Sequence, residues 1–152
     1  MSAAFRSASL ADVPAVLAHQ RAFYAADGYA FDEAVARTAI EGLLGDSERG
    51  RLWVLAEGDG VVGYLAVTFG WSLEWGGRDA FVDELYLVPS HRGAGLGRVA
   101  IALAEDACRA AGVRALHLEV ERGNARGRAL YARTGFADTD RLLLTRRLTP
   151  TR

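Results

Sequence analysis

Hydrophobic and polar positions follow two different periods along the chain, and the change comes near Pro89. Before it, short runs rich in β-branched and aromatic residues are separated by turn signals such as Asp59-Gly60, which is typical of strands joined by hairpins. Ser9 and Asp32 are placed to cap two helices. The predicted elements before Pro89 are a strand over residues 3–8, helices over 9–26 and 33–44, and strands over 51–58, 61–71 and 78–88.

After Pro89 apolar residues recur at helical spacing, and Gly112 ends the first helix that this spacing predicts. The predicted buried stripe of that helix is Leu96, Val99, Leu103 and Ala107. The remaining predicted elements are a strand over residues 113–121, a helix from the cap Asn124 to Arg133, and a strand over 141–148. This order predicts one α+β domain over residues 1–150, with a mixed sheet and helices on both faces.

Composition narrows the classes of partner. The 152 residues are 51% hydrophobic with a net charge of −1, so no basic field attracts nucleic acid or anionic lipid. No apolar run approaches the ~20 residues of a membrane span, and no signal peptide is recognisable. We therefore expect a soluble cytoplasmic protein with no nucleic-acid or membrane partner. Cys108 stands alone and is predicted to be a buried structural thiol, and three scattered histidines predict no metal site.

A glycine-rich turn, HRGAGLGR over residues 91–98, separates a predicted strand from the helix that follows. Its glycines let the backbone approach a ligand, and the first amides of the helix then point towards an anion. This pattern predicts a phosphate-binding loop, with charge supplied by Arg92 and Arg98. Two alternatives stay open. The segment is a simple tight turn, or it is a dinucleotide site in which Gly95, Gly97 and Ala100 form GxGxxA and Glu119 follows about 20 residues later.

The same residues resemble the acyl-CoA-binding signature of the GNAT N-acetyltransferases, R/Q-x-x-G-x-G/A. Arg92, Gly95 and Gly97 match it in register. The resemblance continues through Asn124, Leu130-Tyr131 and Gly135-Phe136, which stand at the intervals typical of that family. It implies a mixed, mainly antiparallel central sheet of six to seven strands in which two central strands splay apart. It also implies acetyl-CoA as co-substrate, an amine-bearing small molecule or peptide as acceptor, and a homodimer as one expected assembly.

The resemblance assigns the cofactor site to residues near the splayed strands. The strand ending at Tyr86, Leu87 and Val88 would pair by its backbone with the pantetheine arm, Asn124 would contact that arm, and Tyr131 would lie near the thioester sulfur. Arg92, Arg98, Arg126 or Arg128 could meet the ribose phosphate. The loop residues implied to hold the pyrophosphate are Arg92, Gly93, Ala94, Gly95, Leu96, Gly97 and Arg98.

Amine acetylation requires a base, because an alkylamine with a pKa near ~10.4 is protonated at neutral pH. Glu84 is the first candidate, Glu119 the second, and Asp83 the third. In a regular strand Asp83 and Glu84 face opposite sides, so only one of them is expected in the site. The Tyr131 hydroxyl is suited to protonate the leaving thiolate. Each carboxylate also has a simpler interpretation as a solvated or salt-bridged side chain.

The stretch from Glu74 to Glu84 holds four carboxylates against one arginine, which favours a cationic acceptor, and Trp71 and Trp75 are candidates for the walls of an amine pocket. The predicted function is an acetyl-CoA-dependent N-acetyltransferase. The alternatives are a non-catalytic acyl-CoA-binding regulatory module and the dinucleotide enzyme.

Overall fold

The computed structural model describes residues 2–150, which form one sheet with helices on both faces. None of the helices in this range is both long enough and apolar enough to cross a bilayer. The strands are β1 (Ala4–Ser7), β2 (Gly50–Glu57), β3 (Gly60–Ser72), β4 (Gly77–Leu87) and β5 (Leu116–Leu118). The helices are α1 (Val13–Ala26), α2 (Glu33–Leu44), α3 (Leu96–Ala110) and α4 (Ala125–Arg133), with 3-10 turns at Leu10–Asp12 and Pro89–His91.

The sheet has the strand order β1-β2-β3-β4-β5. The first four strands pair antiparallel and β5 pairs parallel with β4, as the prediction of a mixed, mainly antiparallel sheet requires. Residues of α1 and α2 pack with Tyr64 and Tyr86 on one face. Residues of α3 pack with Leu65 and Val67 on the other. The prediction of helices on both faces is confirmed.

The predicted strand count of six to seven is wrong, because five strands pair within residues 2–150. The predicted strand over 141–148 is absent: its three consecutive leucines do not alternate, and Leu142, Leu144 and Leu148 are exposed. Arg141 instead pairs with Glu74 at the β3–β4 turn. The predicted strand over 113–121 is reduced to β5, since only three of its residues pair with β4.

The buried face of α3 lies about one residue away from the predicted stripe. Ala100, Ile101, Ala104 and Cys108 are buried, whereas Val99 is 52% exposed. Small side chains let this helix approach the sheet closely, so the larger Leu96 and Val99 are not the residues that define the contact. The expected buried thiol is confirmed, and burial raises the pKa of Cys108.

The start of α1 depends on Asp12. Its carboxylate accepts the Ser9 backbone N–H at 2.8 Å, and it receives two hydrogen bonds from the Arg6 guanidinium at 2.8 and 2.9 Å. The Arg6 contact lowers the pKa of Asp12 from 3.8 to about 2. Ser9 is the N-cap, as predicted, of the 3-10 turn that leads into α1, and it forms a capping box with Asp12. Asp32 caps α2 as predicted, accepting the Val35 N–H at 3.1 Å.

We expect Asp12→Asn to lower the free energy of unfolding at pH 7 by about 1–3 kcal/mol, because the amide loses the charged contact with Arg6. Since folding depresses the pKa of Asp12, its contribution is present above the ordinary value of 3.8 and is lost as the pH falls towards about 2. Urea denaturation should show the gap to wild type closing over that interval. Asp106→Asn is the control, since Asp106 is exposed and lies 3.7 Å from Arg109. Equal losses in both variants would contradict the assignment.

Candidate active site

The glycine-rich loop lies between β4 and α3 and presents bare backbone. Gly93 and Gly95 have φ angles of +80° and +83°, in the left-handed region where side chains are strained. A Cβ built on Gly95 would meet no atom within 4 Å, so the space in front of this amide is open. Because α3 begins at Leu96, its first N–H groups face the same region and can receive an anion.

Two arginines contact this loop in different ways: Arg92 fastens it to β4, and Arg126 approaches it from α4. Arg92 donates from Nε to the Leu87 carbonyl at 2.8 Å, and its guanidinium lies 5.4 Å from the centre of the Tyr86 ring. These contacts fasten the loop to the end of β4. A Cβ built on Gly93 would lie 4.0 Å from Nη2 of Arg126, so Arg126 is the guanidinium that reaches the loop from α4. Ala94 and Arg98 are exposed.

Gly97 fixes the contact between α3 and α4. A Cβ at this position would lie 2.8 Å from Cδ2 of Leu130, closer than real side chains approach. The neighbouring Tyr131 is partly buried against Phe136, with ring centres 6.0 Å apart. Burial raises the pKa of Tyr131, so its phenol keeps its proton at neutral pH and remains a donor.

Asn124 caps α4 as predicted, with Oδ1 accepting the Gly127 N–H at 2.9 Å. A Cβ on Gly127 would lie 2.6 Å from Nδ2 of Asn124, which explains the glycine there. The cap places Asn124 at the start of the helix that carries Tyr131 and Arg126.

The two central strands part halfway along β4. Parallel pairing joins Ala80–Val82 to Leu116–Leu118 and then stops, while β4 continues to Leu87. The segment 83–87 therefore has β3 on one side and a gap on the other. The Tyr86 side chain is buried on the face of the sheet that packs against α1. The Val88 N–H donates to the Val62 carbonyl at 3.0 Å, so the end of this segment stays attached to β3. The predicted cofactor strand thus borders this gap with its backbone.

A β-bulge at Asp83 overturns the expectation that Asp83 and Glu84 face opposite sides. Val82 pairs with Val67 and Glu84 pairs with Ala66, so Asp83 is an extra residue without a partner on β3. The side-chain alternation shifts by one residue at this point. Asp83 and Glu84 consequently line the same cavity.

Glu84 receives hydrogen bonds from three side chains. Gln20 Nε2 and the Tyr64 hydroxyl each donate to Oε1 at 2.9 Å, and the Tyr24 hydroxyl donates to Oε2. Burial raises the pKa of Glu84, while the three donors favour the charged form and oppose that rise. Burial and the adjacent carboxylate raise the pKa of both phenols, so they stay protonated as donors.

Sequence motifs do not reveal the three residues that donate to Glu84, which are Gln20, Tyr24 and Tyr64. These residues lie 64, 60 and 20 positions from Glu84 in the chain, and no local pattern connects them. The one available signal is that a carboxylate near the centre of a buried strand needs donors.

The remaining predicted residues have separate surroundings. Glu119 is exposed and lines a cleft of about 70 Å³ with Phe81, Val82 and Asp83, on the β5 side of the bulge. Trp71 and Trp75 do not line the larger cavity that holds Glu84, and Trp71 is 76% exposed. In the acidic stretch, Glu74 pairs with Arg141 and Asp79 lies 3.2 Å from His117.

The larger cavity has a volume of about 340 Å³ and lies between α1, α2, β3 and β4. Its apolar walls include Val16, Ile40, Leu43 and Leu52. The arrangement places a partly buried, hydrogen-bonded carboxylate in a cavity on one face of β4, beside a strand edge that leads to the glycine-rich loop. This geometry is suited to proton abstraction next to an extended, phosphate-bearing ligand.

Tyr24→Phe is expected to raise the pKa of Glu84, because the carboxylate loses a donor that favours its charged form. Titration of ¹³C-labelled glutamate carboxyls by NMR, with the Glu84 signal assigned through Glu84→Gln, measures this pKa. Tyr29→Phe is the matched control, because Tyr29 donates to Glu121 on the surface. A Glu84 pKa that stays constant or falls in Tyr24→Phe would refute the proposed influence of this hydrogen bond.

The sequence comparisons with known proteins agree with one another on the family of the chain. The sequence model of the acetyltransferase (GNAT) family matches residues 15–136. Streptothricin acetyltransferase of Streptomyces lavendulae is 35% identical over 98 residues, which are 64% of this chain and 50% of that protein. The chain therefore spans about half the length of this relative.

Solved structures share the whole fold. An integron cassette protein from the mobile metagenome of Cole Harbour Salt Marsh is 37% identical, with a TM-score of 0.86 over 97% of this chain and 91% of its own. A predicted acetyltransferase from Clostridium acetobutylicum, solved with acetyl-CoA, is 17% identical, with a TM-score of 0.82 over 95% of this chain and 96% of its own. At that identity the second likeness shows the fold alone.

Proposed function

The chain belongs to the acetyltransferase (GNAT) family, and we propose that it is an acetyl-CoA-dependent N-acetyltransferase that transfers the acetyl group directly to a primary amine of a small molecule or peptide. The observation that supports this most strongly is the position of Glu84, a partly buried carboxylate in a cavity on β4, next to the strand edge that borders the gap. A non-catalytic acyl-CoA-binding module would not need such a carboxylate. Family membership also removes the reason for the dinucleotide alternative.

The residues around the gap suit coenzyme A. The open space before Gly95 and the left-handed loop backbone fit a diphosphate, with Arg126 as the nearby cation. The backbone of Tyr86–Val88 would hold the pantetheine arm, and Asn124 and Tyr131 would lie towards its thiol end. When bound, acetyl-CoA supplies the activated acetyl group as a thioester.

Glu84 is proposed as the general base. A carboxylate offers about four acceptor positions, and the three donors around Glu84 leave one for the proton of the incoming ammonium. A backbone N–H of the part of β4 that borders the gap would stabilise negative charge as it develops on the carbonyl oxygen. The Tyr131 hydroxyl would donate a proton to the departing sulfur. Glu119 and Asp83 remain the alternative bases.

The function is tested by a screen of polyamines, amino acids, aminoglycosides, monoamines and peptide N-termini, read by thiol release from acetyl-CoA and by the mass of the product. Thiol release that depends on an added amine is expected. Binding of acetyl-CoA without transfer to any amine in the screen would instead support the regulatory module.

Glu84→Gln is expected to lower kcat at pH 7 by about 10²–10⁴-fold, because the amide cannot accept the proton of the acceptor. The affinity for acetyl-CoA, measured by calorimetry, should be unchanged. In the wild type, activity should fall as the pH drops through the raised pKa of Glu84, and this acidic limb should disappear in the variant. Glu119→Gln and Asp83→Asn test the other carboxylates. A full rate in Glu84→Gln with a large loss in Glu119→Gln would instead assign the base to Glu119, which follows β5.

Gly95→Ala is expected to raise the Kd for acetyl-CoA by about tenfold or more, because the methyl group stands in the open space where the diphosphate approaches. Gly112→Ala is the matched control at the other end of α3, since Gly112 has a φ of +75° and also no atom within 4 Å of a built Cβ. Both variants carry the same backbone strain, about 1–2 kcal/mol. Calorimetry showing equal affinities in both variants would refute the loop assignment.

A further inference from the structure

We infer that the acceptor is a singly charged primary amine attached to a compact, uncharged apolar body, and that the cavity between α1, α2 and the sheet holds this body. The inference rests on the proposed function and names the class of acceptor for the same site. Three observations support it: the size and apolar walls of the cavity, the position of its hydrogen-bond acceptors, and the distribution of charge along its lining.

The size and the walls determine the body of the acceptor. A volume of about 340 Å³ is at the small end of the range of about 300–1,000 Å³ that ligand sites cover. Val16, Ile40 and Leu52 belong to the buried core cluster, Leu43 packs against it, and all four line the cavity. An alkyl or aryl group placed there is removed from water, which favours binding in proportion to the apolar area that becomes buried.

The hydrogen-bond acceptors determine where the nitrogen lies. The bulge brings Asp83 and Glu84 to the same cavity. Gln20 also lines it and donates from Nε2 to Glu84 at 2.9 Å, which holds this carboxylate in place at the cavity wall. An ammonium group has three N–H donors, so it can serve both carboxylates.

The charges of the lining exclude other acceptors. Among the described residues that line the cavity, Asp83 and Glu84 are the only carboxylates. A second ammonium further along the acceptor would therefore find no carboxylate with which to form an ion pair among these residues. Arg49 is the one cation among the described lining residues, and it is held by Asp46 at 3.5 Å and by the Gly42 carbonyl at 3.0 Å. A carboxylate on the acceptor would have to displace these contacts.

Four amines of matched chemistry test the inference: hexylamine, 1,6-diaminohexane, 6-aminohexanoate and ethylamine. We expect kcat/KM for hexylamine to exceed that for each of the other three by about tenfold or more. Equal or faster acetylation of the diamine or of the amino acid would overturn the inference, because the lining offers no carboxylate to the second ammonium and its one cation, Arg49, is already engaged. Equal values for ethylamine would also overturn it, because the apolar body would then make no contribution.

Ala39→Leu tests the location. Ala39 is an exposed residue of α2 that lines the cavity, so a leucine there fills space without disturbing the core. We expect about a tenfold rise in KM for hexylamine and little change for ethylamine, with an unchanged Kd for acetyl-CoA. Ala34→Leu on the exposed side of the same helix is the control and should leave both amines unaffected.

The outcomes separate this inference from the function on which it rests. If Ala39→Leu leaves the KM for hexylamine unchanged, or if only other amines of the wider screen are acetylated, the inference fails and the acetyltransferase function stands. If no amine is acetylated, both fail.

Discussion

One extra residue in β4 determines which face of the sheet carries the candidate base. Before the bulge, Ala80 and Val82 point towards α3, and after it Leu85 does so. In a regular strand Glu84 would share the face of Ala80 and Val82, and its carboxylate would be buried in an apolar core. The bulge turns it towards α1, where Gln20 and Tyr24 donate to it.

The two halves of the site use backbone and side chains in complementary ways. On the proposed cofactor side, left-handed glycines and the start of α3 provide oriented N–H groups that need no side chain. On the proposed acceptor side, three neutral donors hold one carboxylate in an apolar setting. Such donors are already oriented before a reaction begins, so little reorganisation is required when charge moves. Strand β4 connects the two sides, because its backbone borders the gap and its side chains face the cavity.

The sequence predicts features that short segments determine by themselves. The caps Asp32 and Asn124 and the glycine loop belong to this class, since each depends on residues a few positions apart. The bulge at Asp83 depends on register with β3, and the donors to Glu84 come from distant elements, so neither could be predicted from local patterns. The buried face of α3 differs from the predicted one because its small residues, Ala100 and Ala104, are the ones that pack against the sheet. The strand over 141–148 was predicted from composition alone, although its leucines do not alternate.

The partners of Glu84 differ in how far the chain must fold back to deliver them. Tyr64 lies 20 residues from Glu84 within the β3–β4 hairpin, whereas Tyr24 lies 60 residues away on α1. The entropic contribution to the free energy of closing the 60-residue loop is less favourable than that of closing the 20-residue loop by about 1 kcal/mol. The hairpin alone therefore brings one phenol to the carboxylate, whereas the second phenol and the amide are supplied only when α1 packs on the sheet. Local opening of α1 would expose the proposed acceptor cavity and remove two donors in a single event, while the loop at the start of α3 stayed intact.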